Sequence, residues 1–142
     1  MRRRTRLWSH VALFSLVLLQ ASQARAVEQL DCRVVCDGQI VLLESPSFAF
    51  RLDTADSLRA VDWTNRLTGR QLALGGGPEV ECDVGLPDEH PTTPKLRVTK
   101  RPIAVRGASC EAVFELASDD GAAFVTVTYR WDAAQYVLRK FV

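Results

Sequence analysis

The chain has 142 residues, of which 47% are hydrophobic and 25% are charged, and its formal net charge is +1. This length suits one domain with a modest core and leaves no room for a second. The near-neutral charge argues against a broad phosphate-binding surface. Basic residues outside the N-terminus cluster only at 95–106, where Lys95 and Arg97 share one predicted strand face exposed to solvent. We therefore expect no nucleic-acid partner.

The N-terminus has the three parts of a secretory signal peptide. Arginines precede a mostly apolar stretch at 7–19, and Ala24-Arg25-Ala26 is a small-x-small cleavage site. The apolar stretch is shorter than the roughly 20 residues of a spanning helix. We predict a helical signal peptide over 1–26 and a secreted or periplasmic domain over 27–142 without a membrane span. The same residues would also allow an uncleaved N-terminus that tethers the chain to a membrane.

Cleavage would change the charge of the domain. The predicted leader carries five arginines and no acidic residue, so 13 basic and 17 acidic residues remain, with a net charge of about −4. The mature domain is therefore expected to be mildly acidic.

The mature sequence reads as β-structure throughout. Period-two alternation and short apolar runs predict strands at 40–44, 48–53, 58–64, 71–74, 79–84, 95–99, 112–116, 123–131 and 136–142. Asp119-Asp120-Gly121 predicts a tight hairpin turn. Loops are expected at 75–78, which reads GGGP, and at 85–94, which contains three prolines. Because no helical stripe occurs outside the leader, we predict an all-β antiparallel sandwich.

Four cysteines remain after the predicted cleavage, and an even number in an exported chain indicates disulfides. Cys82 and Cys110 fall in predicted strands and are expected to pair with each other, which leaves Cys32 to pair with Cys36. No metal site or cofactor is predicted, because the mature chain has one histidine, His90, and no CxxC pair.

Two segments carry a family resemblance. The segment at 45–74, SPSFAFRLDTADSLRAVDWTNRLTGRQLAL, and the segment at 121–142, GAAFVTVTYRWDAAQYVLRKFV, resemble parts of the N-terminal β-supersandwich of glycoside hydrolases and galactose-mutarotase-like domains. Such supersandwiches are larger, and a catalytic barrel with paired carboxylates commonly follows them. The resemblance therefore implies an incomplete supersandwich, with a catalytic domain expected downstream of Val142 in a longer gene product.

Catalytic residues are not apparent in the chain itself. Glycoside hydrolysis needs two positioned carboxyl groups, and the acidic residues lie in predicted turns or on polar strand faces. His90 stands beside Glu89 in the proline-rich loop, where a surface role is the simpler interpretation. We therefore expect no glycosidase activity from this chain alone.

Aromatic side chains are the candidates for binding a carbohydrate, since sugars pack on aromatic faces. Trp63, Trp131 and Tyr136 are the predicted contacts, although Trp131 shares a face with Val127 and Trp63 shares one with Val61, so both also fit a core. The predicted function is a non-catalytic, carbohydrate-associated accessory domain of a secreted glycoside hydrolase. The alternative is an exported module that binds a protein or the cell-envelope surface without sugar chemistry.

Overall fold

A computed structural model describes residues 31–85 and 90–142, so the predicted signal peptide and Glu89 lie outside the described residues. Ten strands and no helix are found in the described part of the chain. The strands are β1 (Cys32–Asp37), β2 (Ile40–Glu44), β3 (Phe48–Asp53), β4 (Arg59–Asn65), β5 (Arg70–Ala73), β6 (Leu96–Lys100), β7 (Val105–Gly107), β8 (Ser109–Ser118), β9 (Phe124–Asp132) and β10 (Leu138–Phe141).

The strands form two antiparallel sheets in a sandwich-like arrangement, which confirms the predicted fold class. The first sheet has the order β5-β4-β3-β2-β1-β7, and the second has the order β10-β9-β8-β6. The chain passes from the second sheet to the first between β6 and β7 and returns at Ala108, between β7 and β8. The two sheets are therefore joined closely beside β1, the neighbour of β7.

Alternating side chains of the second sheet build its half of the core. In β9, Val127, Tyr129 and Trp131 are buried, as the period-two pattern predicts. In β8, Ala112 pairs with Tyr129 and Phe114 pairs with Val127, so matching faces of the two strands turn inward. Paired strands with one buried face stabilise each other through these cross-strand contacts. The tight turn between them is also as predicted, with Gly121 at φ 72°, where other residues are strained.

A β-bulge between β3 and β4 decides where Trp63 points. Leu52 pairs with Ala60 but Arg51 pairs with Asp62, so Val61 is an extra residue in the ladder. Past the bulge, Trp63 pairs with Phe50 and lies on the same inward face. Without the extra residue Trp63 would point to the other face. The predicted face shared by Trp63 and Val61 is therefore wrong, although Trp63 does contact the core.

One predicted strand is absent and two strands were not predicted. Residues 79–84 form no strand; only one isolated bridge occurs there, Val84 with Thr92, and a second, Arg59 with Pro78, lies just before them. The prolines on both sides of this segment have no backbone N–H to donate to a ladder, and the three glycines before Pro78 weaken a strand through their conformational freedom. The unpredicted strands are β1, whose second half is exposed, and β7, which has only three residues and so carries no readable period.

The predicted disulfide pairing does not fit this fold. All four cysteines are free thiols in the structure. Cys32 and Cys36 lie four positions apart in the extended strand β1, about 13 Å at roughly 3.3 Å per residue, whereas bridged Cα atoms lie within about 7 Å. Cys82 is not in a strand, and no bond joins it to Cys110. The Cys32–Cys36 pairing is therefore wrong for the folded chain, and the pairing of Cys82 with Cys110 is unsupported.

Candidate functional site

A shallow cleft of about 380 Å³ lies on the β4–β5 hairpin. Its lining is one tryptophan, one leucine and four polar or charged side chains: Trp63, Asn65, Thr68, Arg70, Gln71 and Leu72. In the register of this hairpin Trp63 pairs with Leu72 and Asn65 pairs with Arg70, so these four residues share one face. The cleft therefore lies where the inward face of the first sheet reaches its edge strand, β5.

Packing against two phenylalanines fixes the Trp63 ring. The ring stacks on Phe48, with centroids 4.6 Å apart and planes at 18°, and contacts Phe50 at 5.7 Å. Phe50 in turn contacts Tyr129 of β9, which continues the aromatic packing into the core. Offset stacking of this kind stabilises an aromatic pair beyond its buried area. Trp63 is therefore an indole of fixed orientation that is half-buried and still lines the cleft.

Polar groups beside Trp63 are held by the hairpin turn. The Asn65 side-chain oxygen accepts hydrogen bonds from the backbone N–H of Leu67 at 3.0 Å and of Thr68 at 3.1 Å. Asx turns of this kind fix the asparagine, so its NH₂ group has a defined position. Gly69, at φ 70°, completes the turn. The result is an aromatic ring flanked by amide and guanidinium groups, which can hold a polar ring-shaped ligand but supplies no nucleophile or acid–base pair.

Trp131 lies in the core. Its side chain is 1% exposed, and its indole N–H donates to the backbone oxygen of Glu44 at 2.9 Å, across the two sheets. A ligand could not reach its face without opening the sandwich. Of the two roles that the sequence leaves open for Trp131, the structure places it in the core.

Tyr136 lies in the connection between β9 and β10, and its side chain is 72% exposed. It does not line the Trp63 cleft. The three predicted sugar contacts are thus separated: Trp63 in the cleft, Trp131 in the core and Tyr136 on the surface. The polar residues of the cleft were not predicted, because they follow from the pairing of β4 with β5.

Two buried side chains, Glu44 and Tyr129, connect loops and strands through ion pairs and a hydrogen bond. Glu44 is 3% exposed and forms ion pairs with Arg33 and Arg66. Tyr129 donates its hydroxyl to Glu79 at 2.7 Å, and Lys140 of β10 also binds this carboxylate at 2.8 Å. Burial raises the pKa of Tyr129 well above its usual range, and the hydrogen bond to Glu79 raises it further. Both groups are satisfied internally and serve the packing of the sandwich.

Metal and catalytic sites are not evident in residues 31–85 and 90–142. No group of three or more histidine, cysteine or acidic side chains is arranged there to hold a metal ion. His90 is exposed, and Asp119 and Asp120 lie exposed in the β8–β9 turn. Within the same residues no helix has the length and apolar character needed to cross a membrane.

Comparisons with known proteins identify no relative: no protein-family model, no curated protein and no solved structure matches the chain. The resemblance to galactose-mutarotase-like supersandwiches therefore stays a prediction from the sequence. The structure itself shows an all-β fold of two antiparallel sheets.

Proposed function

We propose that this chain is a non-catalytic, carbohydrate-associated accessory domain of a secreted glycoside hydrolase, and that it contacts sugar through the β4–β5 cleft. The observation that carries the proposal is the cleft itself, in which Trp63 is held against Phe48 beside amide and guanidinium side chains. Aromatic rings stack on the C–H faces of sugars, while planar polar groups bind the hydroxyls.

The binding mode follows from the rigidity of the cleft. Phe48 and Phe50 fix the indole before a ligand arrives, so little side-chain entropy is lost on binding. The Asx turn fixes Asn65 in the same way, whereas Arg70 and Gln71 are exposed and adjust to the ligand. The cleft is open and shallow, so it suits weak binding along a polysaccharide chain better than enclosure of a free monosaccharide.

Affinity electrophoresis in gels that contain xylan, β-glucan or galactan tests the proposal, with each polysaccharide run separately. At least one polysaccharide should retard the chain. Arg70→Ala and Gln71→Ala, both at exposed positions, should each weaken the retardation, and Trp63→Ala should weaken it at least about tenfold, or about 1.4 kcal/mol. Circular dichroism establishes that each variant is folded.

Two further variants locate the binding. Phe124→Ala removes an exposed aromatic side chain that does not line the cleft, and should leave the retardation unchanged. Tyr136→Ala removes the other exposed aromatic residue that the sequence predicts as a sugar contact, so it tests whether sugar binds there instead of in the cleft. Retardation lost in Tyr136→Ala and kept in Trp63→Ala would move the site away from the cleft. No retardation by any polysaccharide, or turnover of aryl glycosides by the chain, would contradict the accessory role.

A second candidate function rests on the edge strand β5. All four of its residues are exposed, among them Leu72 at 61%, and Leu67 in the preceding turn is 63% exposed. An unpaired edge of this kind can accept a strand from a partner protein. This is the alternative of an exported module that binds a protein or envelope surface. It predicts no polysaccharide binding, and it predicts that Leu72→Lys abolishes association with that partner.

A further inference from the structure

Cys32 and Cys110 meet where the two sheets join. Cys32 opens β1 in the first sheet, and Cys110 lies near the start of β8 in the second. Both side chains are buried, at 0% and 6% exposure. The other two cysteines differ from them: Cys36 is exposed on β1, and Cys82 is half-buried in the loop that precedes residue 86.

The strand registers bring the two thiols together. Cys32 pairs with Gly107 of β7, and Cys110 follows three residues later, after the chain has crossed to the second sheet. The Cys32 thiol lies 3.1 Å from the Gly107 oxygen and 3.9 Å from the Trp131 oxygen. Trp131 is the residue that pairs with Cys110 across β8 and β9. The Cys32 thiol therefore lies beside the strand pair that carries Cys110, on the buried side of both sheets.

We propose that Cys32 and Cys110 form a disulfide that joins the two sheets of the sandwich. The strand registers place these two buried cysteines at the same point between the sheets, whereas Cys36 lies four positions along the extended strand β1 from Cys32, beyond bridging distance. The bond would close a loop from residue 32 to residue 110. A crosslink across such a long loop strongly lowers the conformational entropy of the unfolded chain and so stabilises the folded domain.

The reaction is thiol–disulfide exchange with a disulfide donor, either a small molecule such as oxidised glutathione or an oxidoreductase of the export pathway. One cysteine, as its thiolate, attacks the donor disulfide and forms a mixed disulfide while one donor thiol leaves. The second cysteine then displaces the other donor thiol, so that the protein loses two protons and two electrons and the donor becomes two thiols.

The environment of the thiols determines when the bond forms. Burial raises the pKa of Cys32 to about 12, and burial also raises the pKa of Cys110. Since the thiolate is the nucleophile, both cysteines react slowly once the domain is folded. The bond therefore forms during folding, and after folding it is shielded from reductants.

Non-reducing peptide mapping tests the pairing directly. The full chain is unfolded in urea and refolded with a mixture of reduced and oxidised glutathione, or with a non-thiol reductant as the reference. Free thiols are then alkylated. Trypsin places each cysteine in its own peptide, at 26–33, 34–51, 71–95 and 107–130. We expect a linked species of 26–33 with 107–130, and alkylated Cys36 and Cys82.

Thermal unfolding provides a second readout. The oxidised preparation should have a melting temperature about 10 °C or more above that of the reduced one. Cys36→Ser, an exposed position in the same strand as Cys32, should keep this difference, whereas the double variant Cys32→Ala/Cys110→Ala should lose it. Free Cys32 and Cys110 after oxidative refolding, a link from either to Cys36 or Cys82, or equal melting temperatures would overturn the proposal.

Discussion

Replacing Trp131 with phenylalanine tests how much its buried hydrogen bond between the two sheets contributes to stability. The substitution keeps an aromatic ring in the core and removes the indole N–H that donates to the Glu44 oxygen at 2.9 Å. Trp131 is 1% exposed and Glu44 is 3% exposed, so water does not replace the lost donor easily. The variant therefore leaves a buried carbonyl with one fewer hydrogen bond and a smaller side chain above it.

The expected cost has two parts. An unsatisfied buried acceptor costs about 1–3 kcal/mol. The missing volume, roughly 40 Å³, adds about 1 kcal/mol at ~24 cal/mol per Å³ of unfilled cavity. Together they lower the free energy of unfolding by about 2–4 kcal/mol. At about 4 °C per kcal/mol for a domain of this size, the melting temperature should fall by about 8–16 °C.

Trp63→Phe is the matched control, because it makes the same chemical change at a half-buried position. The Trp63 indole N–H has no hydrogen-bond partner among the described residues, and a phenyl ring can keep the stack on Phe48. Its cost should stay below about 1.5 kcal/mol. Urea unfolding monitored by circular dichroism measures both variants. Equal costs for the two, or a cost below about 1 kcal/mol for Trp131→Phe, would refute the assigned role of the buried hydrogen bond.

Two further predictions concern ion pairs. Glu44 is buried and paired with Arg33 and Arg66, so the double variant Arg33→Ala/Arg66→Ala should lower the free energy of unfolding in urea by about 3–5 kcal/mol, more than the sum of the single variants. Adding Glu44→Gln to the double variant should restore part of this loss. Single-variant costs that add up to the double-variant cost would contradict the prediction. A hydrogen bond from Lys95 and nearby cations hold the pKa of the partly exposed Asp56 carboxyl below its usual value. Its stabilisation is therefore present at neutral pH and lost as pH falls through the folded pKa, so thermal scans should show wild type above Asp56→Asn at pH 7 and equal to it in strong acid.

The sequence predicts those parts of the fold that local pattern determines. The hairpin of β8 and β9 combines a long period-two alternation with an Asp-Gly turn, and both signals lie within one continuous segment. The same holds for β2 and β3, whose bounds match the predicted runs. A strand with one buried face repeats its apolar residues every second position, so burial is readable from the sequence.

The partner and register of each strand in a sheet cannot be read from a local sequence pattern in this way. The bulge at Val61 shifts Trp63 to the inward face, yet nothing in the sequence AVDWTN distinguishes a bulged strand from a regular one. The cleft depends on this shift, because only the inward face brings Trp63 beside Leu72 and onto Phe48. The aromatic residue was thus identifiable from the sequence, whereas its polar neighbours required the register of β4 against β5.

The pairing of the cysteines was also not predictable from local sequence. Assigning Cys82 to a strand made its pairing with Cys110 plausible, but prolines and glycines exclude that segment from both sheets. Cys32 lies in β1, and only the antiparallel pairing of β1 with β7 brings it near Cys110. β7 has three residues and no periodic pattern, so the proximity of Cys32 to the start of β8 depends on a strand that the sequence does not predict. Contacts between residues distant in sequence are set by topology, and disulfide connectivity cannot be deduced from cysteine spacing alone.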